Sequence, residues 1–268
     1  MSGTSTVADD HRAAPAPLLD VDDITVRFGG VIALDGLSFS IQEGHICGLI
    51  GPNGAGKTTI FNVLSRIYDP IHGRITFDGY DLLARPAHRI AEIGVARTFQ
   101  NLALFPSMTL LENVMVGAHR RGSVGFVKAA LRLPPWDEER KTRAEAYDLL
   151  KWLDLADYAF QPAAGLPFGT LKRLEIARAL ASRPKFVLLD EPASGLTHGE
   201  VAELGETIRK TRDEFGLTVL LVEHHMAMVV GISDHVVAVD FGRKIAEGTP
   251  KAVQSDPKVI EAYLGTTE

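Results

Sequence analysis

The sequence predicts an α/β fold built on a mainly parallel sheet with helices on both faces. Three observations carry that reading. Strand-length apolar runs, KFVLLD, LTVLLVEH and HVVAVDFG, recur in the second half with a helical segment between each pair, the alternation that crossover connections require. A glycine-rich stretch, GPNGAGKTT at 51–59, stands between the strand-like HICGLIG and a segment of helical spacing, IFNVLSRIY. From about Asn101 to Gly165 the β-branched runs thin out and helical periodicity takes over.

Ordered pattern begins near Leu18. LLDVDDITVRF and LDGLSFSIQEG hold short alternating or continuous apolar runs and read as strands. RITFDGYDLL carries the pair Asp78-Gly79, a turn signal. After Pro134-Pro135, DEERKTRAEAYDLLKWLDL places acids in the first turn and Ala146, Leu149, Leu150 and Leu153 along one side of a helix. LPFGT at 166–170 then precedes a second helical stretch, LKRLEIARAL. A proline, an aromatic, a glycine and a threonine are an unusual entrance to a helix.

The composition sets limits. The chain has 268 residues, 46% hydrophobic and 23% charged, enough for a sizeable core. A net charge of −6 and a pI near 5.9 speak against a nucleic-acid or anionic-membrane binder. No apolar run approaches the ~20 residues that span a bilayer. The first 17 residues, rich in small residues and proline, read as a disordered tail and lack the apolar core of a signal peptide. Cys47, the single cysteine, has no internal partner and reads as a small buried hydrophobe in a cytoplasmic protein. The nine histidines show no metal-ligand spacing.

GPNGAGKTT fits G-x-x-x-x-G-K-[ST] at Gly51, Gly56, Lys57 and Thr58. Phosphate chemistry explains the pattern. Along Gly51, Pro52, Asn53, Gly54, Ala55 and Gly56 the glycines let backbone N–H groups turn inward, Thr58 and Thr59 close the stretch, and the following helix offers its positive end. Lys57 reaches β- and γ-phosphates, and the Thr58 hydroxyl is a Mg²⁺ ligand. The fortuitous alternative, a glycine turn matching by accident, has about a 1% chance in a chain of this length. KFVLLDEP ends a buried run in two acids: Asp190 is placed to hold Mg²⁺ through water, and Glu191 to polarise an attacking water. Two acids capping a strand before Pro192 is the plainer alternative, and the phosphate loop weighs against it.

With these residues in place, the chain resembles the ATP-binding subunits of ABC transporters, from Leu18 to the C-terminus. The resemblance implies a P-loop NTPase core at 18–100 and 166–268, an antiparallel β subdomain near the N-terminus, and an inserted helical subdomain at about 101–165. It implies that Gln100, closing VARTFQ, contacts Mg²⁺ and water and senses a membrane partner. His224 in LLVEHHM matches the switch histidine that contacts the γ-phosphate, with His225 beside it as a rival. Phe28 in TVRFGG stands where the family stacks a ring on adenine, with an ordinary half-buried strand phenylalanine as the serious rival. VARTFQNLALFPSMTLLENV, DEPASGL, EHHM–GISD and the ending GTP…DPKVIEAYLG resemble the branch that serves branched-chain amino acid importers. The implied partners are integral-membrane permease subunits, a second ATPase subunit (identical or paralogous) and, indirectly, a substrate-binding protein, with no nucleic acid. The implied location is the cytoplasmic face of the membrane. A soluble ABC-type ATPase acting on ribosomes or DNA, or a weakly hydrolysing regulatory subunit, are the other classes.

Two positions depart from the family. Its LSGGQ is here LPFGT, so Gly169 is the residue left to contact ATP on a neighbouring subunit. Pro167 lacks both the serine hydroxyl and a backbone N–H, and Thr170 replaces the glutamine. Thr197 in SGLT stands where many relatives carry an aspartate that links the two nucleotide sites.

Overall fold

The computed structural model describes residues 16–98, 102–118 and 136–264. β1 (Leu19–Phe28) pairs antiparallel with β2 (Val31–Ile41), across Gly29 and Gly30, and with β4 (His72–Phe77). β5 (Tyr80–Asp81) completes a four-stranded sheet. The Asp78-Gly79 turn has φ of 49° and 77°, the left-handed pair a type I′ hairpin needs.

The second sheet has the order β10-β9-β3-β8-β7-β6. Its strands β6 (Val95–Arg97), β7 (Phe186–Asp190), β8 (Thr218–Val222), β3 (Ile46–Ile50) and β9 (His235–Asp240) are parallel, and β10 (Arg243–Gly248) runs antiparallel to β9. β3, β7 and β8 are buried throughout, which is why they read as continuous apolar runs. Their side chains still alternate between faces. Phe186 and Leu188 join a core with the antiparallel sheet and α1 (Lys57–Leu64), whereas Val187 and Leu189 join one with the helices. Each such side chain contributes about 1.5–3 kcal/mol by leaving water.

Between β6 and β7 the described elements are helical: α2 (Leu110–Ala118), α3 (Trp136–Trp152) and α4 (Phe168–Leu180), with a 3₁₀ turn at Ala156–Tyr158. α2 opens on a capping box, in which the Glu112 carboxylate accepts from the Thr109 N–H (2.8 Å) and the Thr109 hydroxyl accepts from the Glu112 N–H (3.2 Å). A Cβ on Gly117 would strike the Arg178 carbonyl oxygen, so α2 and α4 approach closely because that residue is glycine. Ala146, Leu150 and Leu153 are buried in the same helical core. α5 (His198–Phe215) follows β7, α6 (Met226–Ile232) follows β8, and α7 (Pro250–Gln254) and α8 (Pro257–Leu264) follow β10. Cys47 is buried, and burial pushes its thiol pKa up.

Two local expectations shift. Helical spacing runs through Tyr68, yet α1 stops at Leu64: Arg66 takes a left-handed φ of 58°, and the Ile67 N–H reaches back to the Asn62 carbonyl (2.8 Å). LPFGT, in turn, is not a loop ahead of a helix. Pro167 has φ −55° and ψ 145° at the N-cap, and Phe168, Gly169 and Thr170 form the first turn of α4.

Candidate functional site

The parallel order of β3, β8 and β7 brings their carboxyl ends side by side. Gly51 continues from β3, Asp190 ends β7, and Glu223 follows β8, so three sequence-distant segments share one edge, as ligand sites of open α/β sheets do.

The glycine loop is shaped from both sides. Gly54 and Gly56 have φ of 84° and 101°, which L side chains rarely adopt. A Cβ on Gly56 would lie 2.7 Å from the Ala33 carbonyl oxygen, whereas one on Gly54 would meet nothing within 4 Å among the described residues. One flank of the loop is therefore pressed against β2, and the other faces open space. Ala55 and Lys57 are buried, and Asn53 and Thr58 are exposed. Lys57 Nζ donates to the carbonyl oxygens of Gly51 (2.6 Å) and Pro52 (2.8 Å). Burial lowers the Lys57 pKa, while the charges of Glu191 and Asp190 act to raise it, so both acids lie within electrostatic reach of the ammonium.

Asp190 is buried and paired with Arg97 (Nη2–Oδ2 3.1 Å). Arg97 also donates to Asn62 and Ser65 of the α1 segment. The strand-end carboxylate is thus steered by a guanidinium on neighbouring β6, a residue the sequence reading passed over although it lies within VARTFQ. Glu191 adopts φ 46°, rare for a non-glycine residue and a form of strain that concentrates at functional sites. Its N–H donates to the Val222 carbonyl (2.9 Å), and its own carbonyl accepts from Ser194 (3.1 Å). The conformation is held by backbone bonds on both sides. The Thr58 hydroxyl and Asp190 carboxylate are hard oxygen donors of the kind Mg²⁺ prefers, so these residues fit that ion.

Glu223 was not singled out from sequence. Fully buried, it accepts from the N–H groups of Ala193 (2.7 Å), His224 (3.0 Å) and His225 (3.2 Å), and lies 3.0 Å from His225 Nδ1. One carboxylate thereby ties the end of β8 to the chain just past Glu191. The His224 side chain is 53% exposed and that of His225 27%, so His224 is the freer to reach a ligand. Among the described residues, ligand-type atoms of Glu223, His224 and His225 fall within 4.8 Å of one another, a grouping that histidine spacing did not suggest. The Glu223 carboxylate is committed to its N–H donors, which favours a structural hub over a metal centre.

Phe28 is 46% exposed and meets Tyr68 edge-on at 5.0 Å. Its hairpin lies beside the phosphate loop because Ala33 and Leu34 of β2 pack on Gly56. Gln100 lies outside the described residues.

At α4, Thr170 is buried, and a Cβ on Gly169 would sit 3.3 Å from Glu200 Oε1. Thr197 has a structural task of its own. It caps α5 in a capping box with Glu200, whose carboxylate accepts from the Thr197 N–H (2.9 Å) and hydroxyl (2.7 Å). Lys172 is 2% exposed, its Nζ meets no hydrogen-bond partner among the described residues, and it lies 5.3 Å from the centre of the Phe168 ring. A cation–π contact offsets only part of the cost of such burial. Lys172→Met, of similar length and uncharged, is therefore expected to stabilise the isolated chain by about 1–2 kcal/mol. A thermal midpoint that stays level or falls would sink this account.

A strand, a glycine loop and a helix, set beside a strand that ends in paired acids, define a nucleotide-binding ATPase of the P-loop class. Within that class the chain belongs to the ABC transporter family, which matches residues 34–194. Residues 243–268 match the family described as branched-chain amino acid ATP-binding cassette transporter. The chain is 43% identical over 250 residues to the high-affinity branched-chain amino acid transport ATP-binding protein BraF of Pseudomonas aeruginosa, covering 93% of this chain and 98% of that one. It is 41% identical over 253 residues to the corresponding LivG protein of Escherichia coli K12, at 93% and 98% coverage. A nucleotide-free ATP-binding cassette from an ABC transporter superposes with a TM-score of 0.82 at 31% identity, over 93% of this chain and 100% of that one. An ADP-bound cassette gives 0.82 at 32% identity, over 93% and 99%. The chain is an ATP-binding, ATP-hydrolysing subunit of an ABC transporter. Among the described residues no helix is long and apolar enough to cross a membrane.

Proposed function

We propose that this subunit powers the import of branched-chain amino acids. The observation that carries the proposal is similarity along nearly the whole chain to BraF and LivG, joined to the separate match at 243–268. The cassette works at the cytoplasmic face of the membrane, with permease subunits, a second ATPase subunit and, at one remove, a substrate-binding protein. The segments 18–100 and 166–268 form its nucleotide-binding core, and about 101–165 forms a helical subdomain that, with the Gln100 loop, receives the permease.

In this reading, backbone N–H groups of 51–59 and Lys57 hold the ATP phosphates, and Phe28 stacks on adenine. Thr58, Gln100 and, through water, Asp190 would hold Mg²⁺, which when bound would neutralise phosphate charge. Glu191 accepts a hydrogen bond from the attacking water and takes its proton as the water oxygen bonds to the γ-phosphorus and the bond from that phosphorus to the β,γ-bridging oxygen breaks, with ADP as the leaving group. His224 donates to the γ-phosphate, and Gly169 approaches the ATP of the partner subunit. Catalysis is then mainly positioning and electrostatics. The test is leucine uptake by proteoliposomes holding the whole transporter, with its binding protein and internal ATP. Uptake is expected to require this subunit with Lys57 intact. Uptake that persists in a Lys57→Ala assembly, or recovery of the tagged chain only with ribosomes, overturns the reading.

A further inference from the structure

The N–H of Gly51, first residue of the phosphate loop, donates at 2.8 Å to the hydroxyl of Tyr263, 212 residues further on. Gly51 has little freedom there, since a Cβ at this position would strike the Val239 carbonyl oxygen of β9. Tyr263 belongs to α8, whose buried Val259 packs in one cluster with Ile50, Val236 and Ala238. Val259 and Tyr263 are four residues apart and so share a helix face. The anchor therefore seats the helix on the end of β3, and the next turn delivers the hydroxyl to the residue that follows Ile50. Tyr263 as a whole remains 39% exposed, so the polar contact at its buried hydroxyl stands out. Burial of the hydroxyl raises its pKa while the Gly51 hydrogen bond works to lower it. A cavity of about 630 Å³ separates Pro52–Ala55 from Lys258, Glu261 and Ala262. The loop is thus not packed on α8 along its length, and Tyr263 is a point contact at its root.

We infer that Tyr263 is a positioning residue for the nucleotide site, through which the C-terminal segment braces the phosphate loop. The inference rests on the reading of 51–59 as the phosphate site. With the root of the loop fixed from outside the sheet, the N–H groups that receive phosphate are ordered before nucleotide arrives, so less conformational entropy is lost on binding. The hydroxyl does not touch the reacting atoms, and its removal should act on affinity rather than on the chemical step.

The experiment uses the full-length chain and Tyr263→Phe, which keeps the ring and deletes the acceptor. The dissociation constant for Mg-ATP, measured by calorimetry, is expected to rise about three- to tenfold, the size of one hydrogen bond. Amide exchange across Gly51–Lys57 is expected to quicken. The thermal midpoint without nucleotide is expected to fall by no more than a few degrees, the cost of an unpaired Gly51 N–H, while kcat of the assembled transporter at saturating ATP stays at the wild-type value and KM rises. Wild-type affinity and exchange overturn the inference. So does a fall in midpoint and kcat together, which would make the hydroxyl a general structural contact. A Lys57→Ala arm separates the two readings: retained ATP binding in that variant would mean that 51–59 is not the phosphate site at all.

Discussion

Glu191→Gln is expected to lower ATP turnover of the assembled transporter about a hundredfold or more while leaving ATP binding intact, the loss typical of removing a positioned proton acceptor. The substitution keeps size and shape. The backbone bonds that hold the residue, from its N–H to Val222 and from Ser194 to its carbonyl, involve no side-chain atoms and survive the change. The left-handed φ of 46° is set by the same bonds, so the amide occupies the place of the carboxylate. What disappears is the negative charge at the mouth of the phosphate loop. Lys57 loses one of the two acids that favour its charged form, and Asp190 keeps its ion pair with Arg97. Phosphate release by the complex and binding of a fluorescent ATP analogue are the two measurements. Lys57→Ala is the contrast, expected to lose binding and turnover together. Turnover at the wild-type rate in Glu191→Gln would remove Glu191 from the mechanism.

Much of this site was legible because its information is local. The loop at 51–59 carries its glycines, lysine and threonine in one stretch, and the buried runs of β3, β7 and β8 announce themselves as uninterrupted apolar segments. Asp78-Gly79 similarly encodes a turn in two residues. The partners that steer these groups were not legible. Arg97 and Asp190 are 93 residues apart, and Gly51 and Tyr263 are 212 apart. No periodicity records a contact that exists only once the sheet has ordered its strands. Glu223 was hidden differently. In LLVEHHM it reads as one more polar residue at a strand end, and its role follows from full burial beside the Ala193 N–H. The start of α4 was missed because proline and glycine usually punctuate helices. Pro167 instead sits at the N-cap, where a missing N–H costs nothing, and Gly169 fits beside a carboxylate where a side chain would crowd.

That crowding sharpens the second large prediction, Gly169→Asp. In the assembled transporter this change is expected to reduce turnover about a hundredfold or more, as removal of a preorganised charge-stabilising contact does, while the isolated chain still binds ATP at Lys57. An acid in the first turn of a helix is ordinarily favourable by about 0.3–1 kcal/mol. Here the new Cβ would lie 3.3 Å from Glu200 Oε1, and Glu200 is held in place by the N–H and hydroxyl of Thr197. Two effects therefore coincide: repulsion inside the chain, and a negative charge on the face proposed to meet the partner subunit's ATP. The double variant Gly169→Asp with Glu200→Gln separates them. It removes the internal repulsion and keeps the charge that would oppose phosphate, so it should remain inactive. Gly169→Asn, of the same shape without the charge, should recover a measurable part of the turnover. If Glu200→Gln alone restores the aspartate variant, the defect lies within one chain, and LPFGT is the first turn of a structural helix with no part in the neighbouring subunit's site.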